Sequence, residues 1–197
     1  MLAGAAGLVG ALVLAGRVAC PDAHCPAPEF DRAMLKAFHG ARTPAGEAVM
    51  TAVTWLGSML VLLPAAFLLS FWTPRRGARA FFLPLALVGG WLLLHAAKWL
   101  VDRPRPDLFP SLVQMPTDAS FPSGHAAQAT ILVVAWLATR RPEPAWGYWL
   151  AGAAFVALVA LSRLYLQVHF PTDVIAGLLF GLAWVVLLYR HWPGGPR

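Results

Sequence analysis

Residues 162–173 read SRLYLQVHFPTD, and the way this stretch divides decides how the chain is built. One apolar segment stops here and the next begins, and the junction carries Arg163, His169 and Asp173. Pro171 lacks a backbone N–H and has a fixed φ, which suits the first position of a helix, where that donor would go unused. A helix starting near Pro171 places His169 just ahead of its first turn and Asp173 inside that turn. The Asp173 carboxylate can then reach back to one imidazole nitrogen of His169, leaving the other free to attack or to accept a proton. Arg163 adds a planar positive fork of the shape that matches a phosphate. A histidine and an aspartate at this spacing are common, so the meaning of the stretch depends on the rest of the chain.

Working outward, the 197-residue chain is 59% hydrophobic and 12% charged, with a mean hydropathy of +0.64. Soluble domains carry roughly 25% charged residues, so about half the usual charge is missing. The apolar residues fall in blocks, and a bilayer core needs roughly 20 of them per helix. Six spans are expected, over about 2–16, 49–72, 80–100, 125–139, 146–162 and 174–189; the first and fourth are short and need neighbouring residues to complete a crossing. The expectation is an all-α integral membrane bundle of six transmembrane helices, with a single domain over 1–197. Between the first two spans, residues 29–52 carry Phe30, Met34, Leu35 and Phe38 at helical spacing. That pattern suits a short amphipathic helix at the membrane interface or a partly buried loop helix. No Lys or Arg precedes the first span, and Arg17 stands where a cleavage site wants a small residue. The span therefore reads as a retained helix, not as a removed signal peptide.

The net charge is +6 and the pI is 10.2, yet the cations lie between apolar blocks and form no basic stripe. That argues against a nucleic-acid partner and for orientation in a bilayer. Six spans put both termini on one side, with seven Lys or Arg there against eight on the other. Raw number does not decide, but of the nine acids only Glu143 falls on the terminal side. Because short-loop cations carry the positive-inside signal, the termini are expected in the cytoplasm, as in a bacterial inner membrane. Lys98, Arg105, His125 and His169 then face the periplasm or outside. Cys20 and Cys25 would share that oxidising side, where they either close a small disulfide loop or stay two thiols. There is no CxxC, and the six histidines are scattered, so no metal set is expected.

Three stretches fall at the external ends of predicted spans. In Lys98-WLVDRP-Arg105-Pro106, the lysine ends an apolar helix and the prolines keep the loop from continuing it. Taken alone, these are a snorkelling lysine and solvated arginines. In Phe121-PSG-His125, Ser123 is a good helix N-cap and Gly124 leaves a ligand room beside the backbone. The N–H groups of the helix that follows suit an anion, and His125 stands ready to give a proton to a leaving oxygen. The third stretch is the one quoted first. Together they bring three cations, two histidines and one carboxylate to one membrane level, where ionisable residues are costly and point to function. Fixed cations with backbone amides match a tetrahedral dianion. A histidine oriented by an aspartate supplies a nucleophile, and a second supplies a general acid. Such a set fits phosphate-ester hydrolysis through a phosphohistidine.

Lys98-x6-Arg105-Pro106, Pro122-Ser-Gly-His125 and Ser162-Arg163-x5-His169-x3-Asp173 resemble the three-part signature of the type-two phosphatidic acid phosphatase superfamily, complete and in order. The resemblance implies His169 as nucleophile, Asp173 as its orienting group and His125 as the proton donor to the departing oxygen. It implies Lys98, Arg105, Arg163, Ser123 and the Gly124 amide as holders of the phosphoryl oxygens, with no metal or other cofactor. The substrate would be a membrane lipid phosphate or diphosphate, of the undecaprenyl diphosphate, phosphatidylglycerophosphate or phosphatidate type. Beyond the signature, Asp102 can pair with Lys98, Arg103 and Asp107 touch a headgroup or only water, and His95 packs in the bundle. The nine Trp suit interface belts. The same residues also resemble vanadium haloperoxidases, but those are soluble and much longer. A lipid phosphotransferase would use the same site. A non-catalytic lipid-phosphate binding or transport protein would not need the His169–Asp173 pair. Nothing in the sequence bears on the oligomeric state.

Overall fold

The structure is a computed structural model that describes residues 27–71, 81–140 and 145–192 together with Gly10 and residues 14–16. Cys20, Cys25 and most of the expected first span lie outside the described residues. Among the described residues there is no strand; Gly10 and residues 14–16 are helical, and seven further helices have described bounds: α1 (Glu29–Gly40), α2 (Pro44–Trp55), α3 (Met59–Phe71), α4 (Phe82–Val101), α5 (Gly124–Thr139), α6 (Trp146–Tyr165) and α7 (Pro171–His191).

Local chemistry accounts for several of these boundaries. Thr43 is extended and its Oγ1 accepts from the Gly46 N–H at 3.1 Å, and Pro44 follows at the first helical position of α2. The α4 helix closes on Asp102, whose backbone is left-handed (φ 43°) and whose N–H donates to the Lys98 carbonyl. Pro104 and Pro106 then prevent any continuation. Pro171 opens α7 as its position in the sequence foretells, and the Asp173 carboxylate accepts the Phe170 N–H at 2.9 Å.

Helices α4, α6 and α7 are 20, 20 and 21 residues long, with mean hydropathies of 1.4, 1.5 and 2.0. At 1.5 Å per residue each reaches about 30 Å, enough to cross a bilayer. The expected single span over 49–72 is instead two helices, α2 and α3, bent by 53°. A Cβ on Gly57, at the bend, would lie 2.5 Å from Val159 Cγ1 and 3.1 Å from His125 Cβ. Only glycine allows the broken segment to lie this close to α5 and α6. Counted by length and hydropathy among the described residues, there are three spans, or four if the bent pair is one.

At 16 residues, α5 is shorter than those three. It lies at the centre, packed against α3, α4, α6 and α7. Its contact with α7 is backbone on backbone: a Cβ on Gly177 would sit 2.5 Å from the Ser123 oxygen, and one on Gly181 would sit 2.7 Å from the Ala127 oxygen. This is the small-xxx-small packing that membrane helices use for close approach. Leu62, Phe82, Leu87, Ile131 and Val185 fill the core around it. On the outside, Leu60, Leu68, Leu100 and Leu150 are exposed, as a lipid-facing surface requires.

The amphipathic segment is two helices and not one. Leu35 of α1 is buried and Phe30 is exposed. Asp31, on the same helix, is fully buried, and α1 packs on α6 and α7. The partly buried alternative holds for α1, because its inward face carries a charge with a partner inside the protein.

Candidate active site

The three stretches meet at one end of the bundle, around a cavity of about 250 Å³. Lys98, Arg105, Gly124, His125, Arg163 and His169 all line it. Each arrives differently: Lys98 at the end of α4, Arg105 from the loop beyond, Gly124 and His125 from the start of α5, Arg163 from the end of α6. His169 comes from the turn between α6 and α7. That turn holds Gln167 at φ 60°, and the Gln167 amide donates to the Leu35 and Leu164 carbonyls at 3.0 and 3.2 Å.

His169 is 2% exposed. Its Nδ1 lies 3.4 Å from Asp173 Oδ2, and its Nε2 lies 3.3 Å from a guanidinium nitrogen of Arg105. One ring nitrogen thus faces the aspartate, and the other, which the sequence reading left free, lies beside the Arg105 guanidinium. Burial pushes its pKa well below the ordinary imidazole value, and Arg105, Arg163 and Lys98 push it further down. The ring is therefore neutral at pH 7 and keeps a lone pair.

Asp173 is held from several directions. Its Oδ2 accepts from Ser120 Oγ and from the Phe170 N–H, and its Oδ1 accepts from Arg103 at 2.5 Å. Arg103 is a residue whose place the sequence reading misses: it is 4% exposed, not solvated. It donates to Asp31 Oδ2 at 2.8 Å and to Thr172 Oγ1 at 2.8 Å, and its guanidinium lies 4.1 Å from the centre of the Phe170 ring. Asp31 in turn accepts from Thr172, at 2.9 Å from the backbone N–H and 2.6 Å from the hydroxyl. A continuous buried chain therefore runs from α1 through Arg103 to Asp173 and His169. Two acids flanking one arginine give each charge a partner, the condition for burying ions at all.

Lys98 is also paired differently from the expectation. Asp102 is exposed, and the lysine instead meets Asp118 Oδ2 at 3.1 Å and donates to the Ala119 carbonyl. Asp118 takes Arg105 as well: a guanidinium nitrogen lies 2.6 Å from Oδ1, and Nε donates to the backbone oxygen at 2.9 Å. Partial burial alone would raise the Asp118 pKa, but the ion pairs with Lys98 and Arg105 prevail and hold it at about 2. Arg105 also donates to the Val168 carbonyl at 2.8 Å, which ties the loop to the His169 turn.

Arg163 donates to Thr54 Oγ1 of α2, while its Nε is buried without a partner. Ser123 occupies the N-cap position of α5, but its side chain caps nothing, and its buried Oγ has no partner. A Cβ on Gly124 would meet nothing within 4 Å, so the open space expected beside that glycine is there. His95, expected inside the bundle, is exposed; it bonds the Trp91 carbonyl at 2.8 Å and lines the cavity. Asp107 is exposed. Among the described residues, no group of three or more His, Cys, Asp or Glu is placed to hold a metal ion. What the site offers is an ammonium and two guanidiniums as donors, with two imidazoles beside them, a set that suits a tetrahedral oxyanion.

A helical bundle with apolar membrane-crossing helices, whose one end gathers cations around an aspartate-oriented histidine, defines an integral membrane protein with a cationic cavity. Residues 79–194 match the PAP2 superfamily, and the chain belongs to that family. It is similar to phosphatidylglycerophosphatase B of Bacillus subtilis, 35% identical over 168 residues that cover 77% of this chain and 78% of that protein. It is also 37% identical over 110 residues to an undecaprenyl-diphosphatase of Sulfolobus acidocaldarius, a match covering 54% of this chain and 51% of the other. In three dimensions it resembles the crystal structure of a transmembrane PAP2 type phosphatidylglycerolphosphate phosphatase from Bacillus subtilis, with a TM-score of 0.82, 28% identity and 96% of each chain covered.

Proposed function

We propose that the protein is a lipid phosphatase that hydrolyses the phosphate or diphosphate group of a membrane lipid through a phosphohistidine. The observation that carries this reading is the His169 imidazole, neutral, backed by Asp173 and turned toward Arg105, in a wall that also holds Lys98 and Arg163. In the first step His169 Nε2 attacks phosphorus, the bond from phosphorus to the lipid oxygen breaks, and His125 protonates that oxygen. In the second step water attacks the phosphohistidine. The N–P bond breaks, the water proton goes to His125, and free phosphate leaves. Asp173 keeps the proton of His169 on Nδ1 and stabilises the ring as it becomes positive. Lys98, Arg105 and Arg163, with the Ser123 hydroxyl and the Gly124 amide, hold the three outer oxygens as their charge shifts.

The lipids to which this applies are of the undecaprenyl diphosphate, phosphatidylglycerophosphate or phosphatidate type, the first two in line with the names of the relatives. The chain would form one domain with six crossings, its termini in the cytoplasm and the site at the periplasmic face of the inner membrane. On this reading α5 serves as a crossing despite its length because other helices, not lipid, surround it.

The test is phosphate release from a panel of these lipids by the purified protein in detergent. Release is expected to persist in EDTA, since no step calls on a metal, and His169→Ala is expected to abolish it. Activity that survives His169→Ala would refute the histidine nucleophile. Phosphate that appears on a second lipid in place of free phosphate would make the protein a phosphotransferase.

A further inference from the structure

Ser58, His95, Asp118 and Gln128 line the cavity from outside the three motifs, and the first three have partners within the protein. Gln128 of α5 is 2% exposed, and both its amide nitrogen and its amide oxygen are buried without a hydrogen-bond partner. It lines the same cavity as His125 and Lys98. A buried amide that bonds nothing destabilises a protein by the full desolvation of the group, so its place here calls for a partner that enters the cavity.

The position says which partner. Gln128 follows His125 by three residues, so the two share a face of α5. It also lies about 6 Å further along the helix from Gly124, toward the bilayer interior. The leaving oxygen, which His125 protonates on the proposed reading, is joined to a lipid whose tail must run the same way. The first atoms beyond the scissile bond therefore pass the Gln128 amide. An amide has two N–H donors and an acceptor oxygen with two lone pairs, which suits a leaving group with oxygen next to the scissile bond and is wasted on plain hydrocarbon.

We infer that Gln128 is a specificity-determining residue that binds the oxygen-bearing part of the leaving group, either the second phosphate of a lipid diphosphate or the hydroxyl or ester of a glycerol backbone. The inference rests on the phosphatase reading and goes beyond it in assigning the recognition of the leaving side. The Gly124 amide and the cations deal with the transferred phosphoryl group; Gln128 deals with what is left behind.

Gln128→Met tests it, because methionine keeps the volume and removes both polar groups. A structural amide would be missed on folding, whereas an unpartnered one would not. Melting in detergent is therefore expected at the wild-type temperature or above. Steady-state kinetics would use three substrates: a polyprenyl diphosphate, a phosphatidylglycerophosphate and a long-chain alkyl monophosphate with no oxygen beyond the scissile one. The kcat/KM ratio of at least one oxygen-bearing substrate to the alkyl phosphate is expected to fall about tenfold, the equivalent of about 1.4 kcal/mol. Which ratio falls separates the diphosphate from the glycerol source. Equal loss on all three, or a lower melting temperature with both ratios unchanged, overturns the inference. If the wild type turns over none of them, the phosphatase reading fails. Binding of inorganic pyrophosphate against inorganic phosphate then decides on Gln128 alone: the variant is expected to weaken pyrophosphate more, and equal weakening or none overturns the role.

Discussion

At the residue scale, His169 and Asp118 show how the site handles charge. The folded imidazole resists protonation because it is buried and faces Arg105, Arg163 and Lys98. A nucleophile kept neutral in this way predicts an acid limb of kcat/KM well below pH 6.5, the ordinary imidazole value, and a pH–rate profile would read it directly. The same shift weakens the fold in acid. As pH falls below about 6.5, an unfolded chain takes up a proton that the folded ring refuses, so the His169 contribution to stability declines. Asp118 acts at lower pH: its depressed pKa adds stability above 3.8, and this is lost as pH falls toward about 2. Asp118 also occupies two of the cations proposed to grip phosphate. Asp118→Asn removes that competing charge, and inorganic phosphate is expected to inhibit at roughly threefold lower concentration. Unchanged inhibition would mean that the two cations do not bind the product.

At the element scale, two close approaches set the geometry. Gly57 lets the bend between α2 and α3 lie against His125, and Gly177 lets α7 lie against the first turn of α5. Gly57→Ala is expected to push the His125 ring aside and to lower kcat more than thermal stability, since the nearest atoms belong to side chains. Gly181→Ala meets backbone oxygen instead. It is expected to destabilise the bundle by about 1–3 kcal/mol, measured as a lower melting temperature in detergent. Little of this is visible in the sequence. Hydropathy reports how far a segment is apolar, and it does not report a three-residue break whose cause is a neighbouring helix. The 49–72 block therefore reads as one straight span and folds as two helices bent by 53°. The short α5 reads correctly as a helix because Ser123 and Gly124 mark its start.

At the scale of the whole molecule, the buried chain Asp31–Arg103–Asp173 joins the amphipathic α1 to the histidine turn. Removing one member leaves a buried charge with part of its compensation gone. Asp31→Leu is expected to lower stability by about 3–5 kcal/mol and to reduce activity with it, while Asp31→Asn, which keeps an acceptor for Thr172, should lose less. Equal melting temperatures for the wild type and Asp31→Leu would show that α1 is not held by this network.

By itself the sequence determined an all-helical membrane protein and six of the residues that line the cavity, Lys98, Arg105, Gly124, His125, Arg163 and His169. Long apolar blocks have few other ways to satisfy their backbone, and charged residues at membrane level are too costly to be idle. Only the tertiary structure decided the partners. Lys98 meets Asp118 and not Asp102, Arg103 lies between Asp31 and Asp173 and not in water, and Gln128 is left unpaired beside His125. Those outcomes depend on loops without periodicity and on residues as far apart in the chain as Asp31 and Asp173, where distance in space has no counterpart in local sequence pattern.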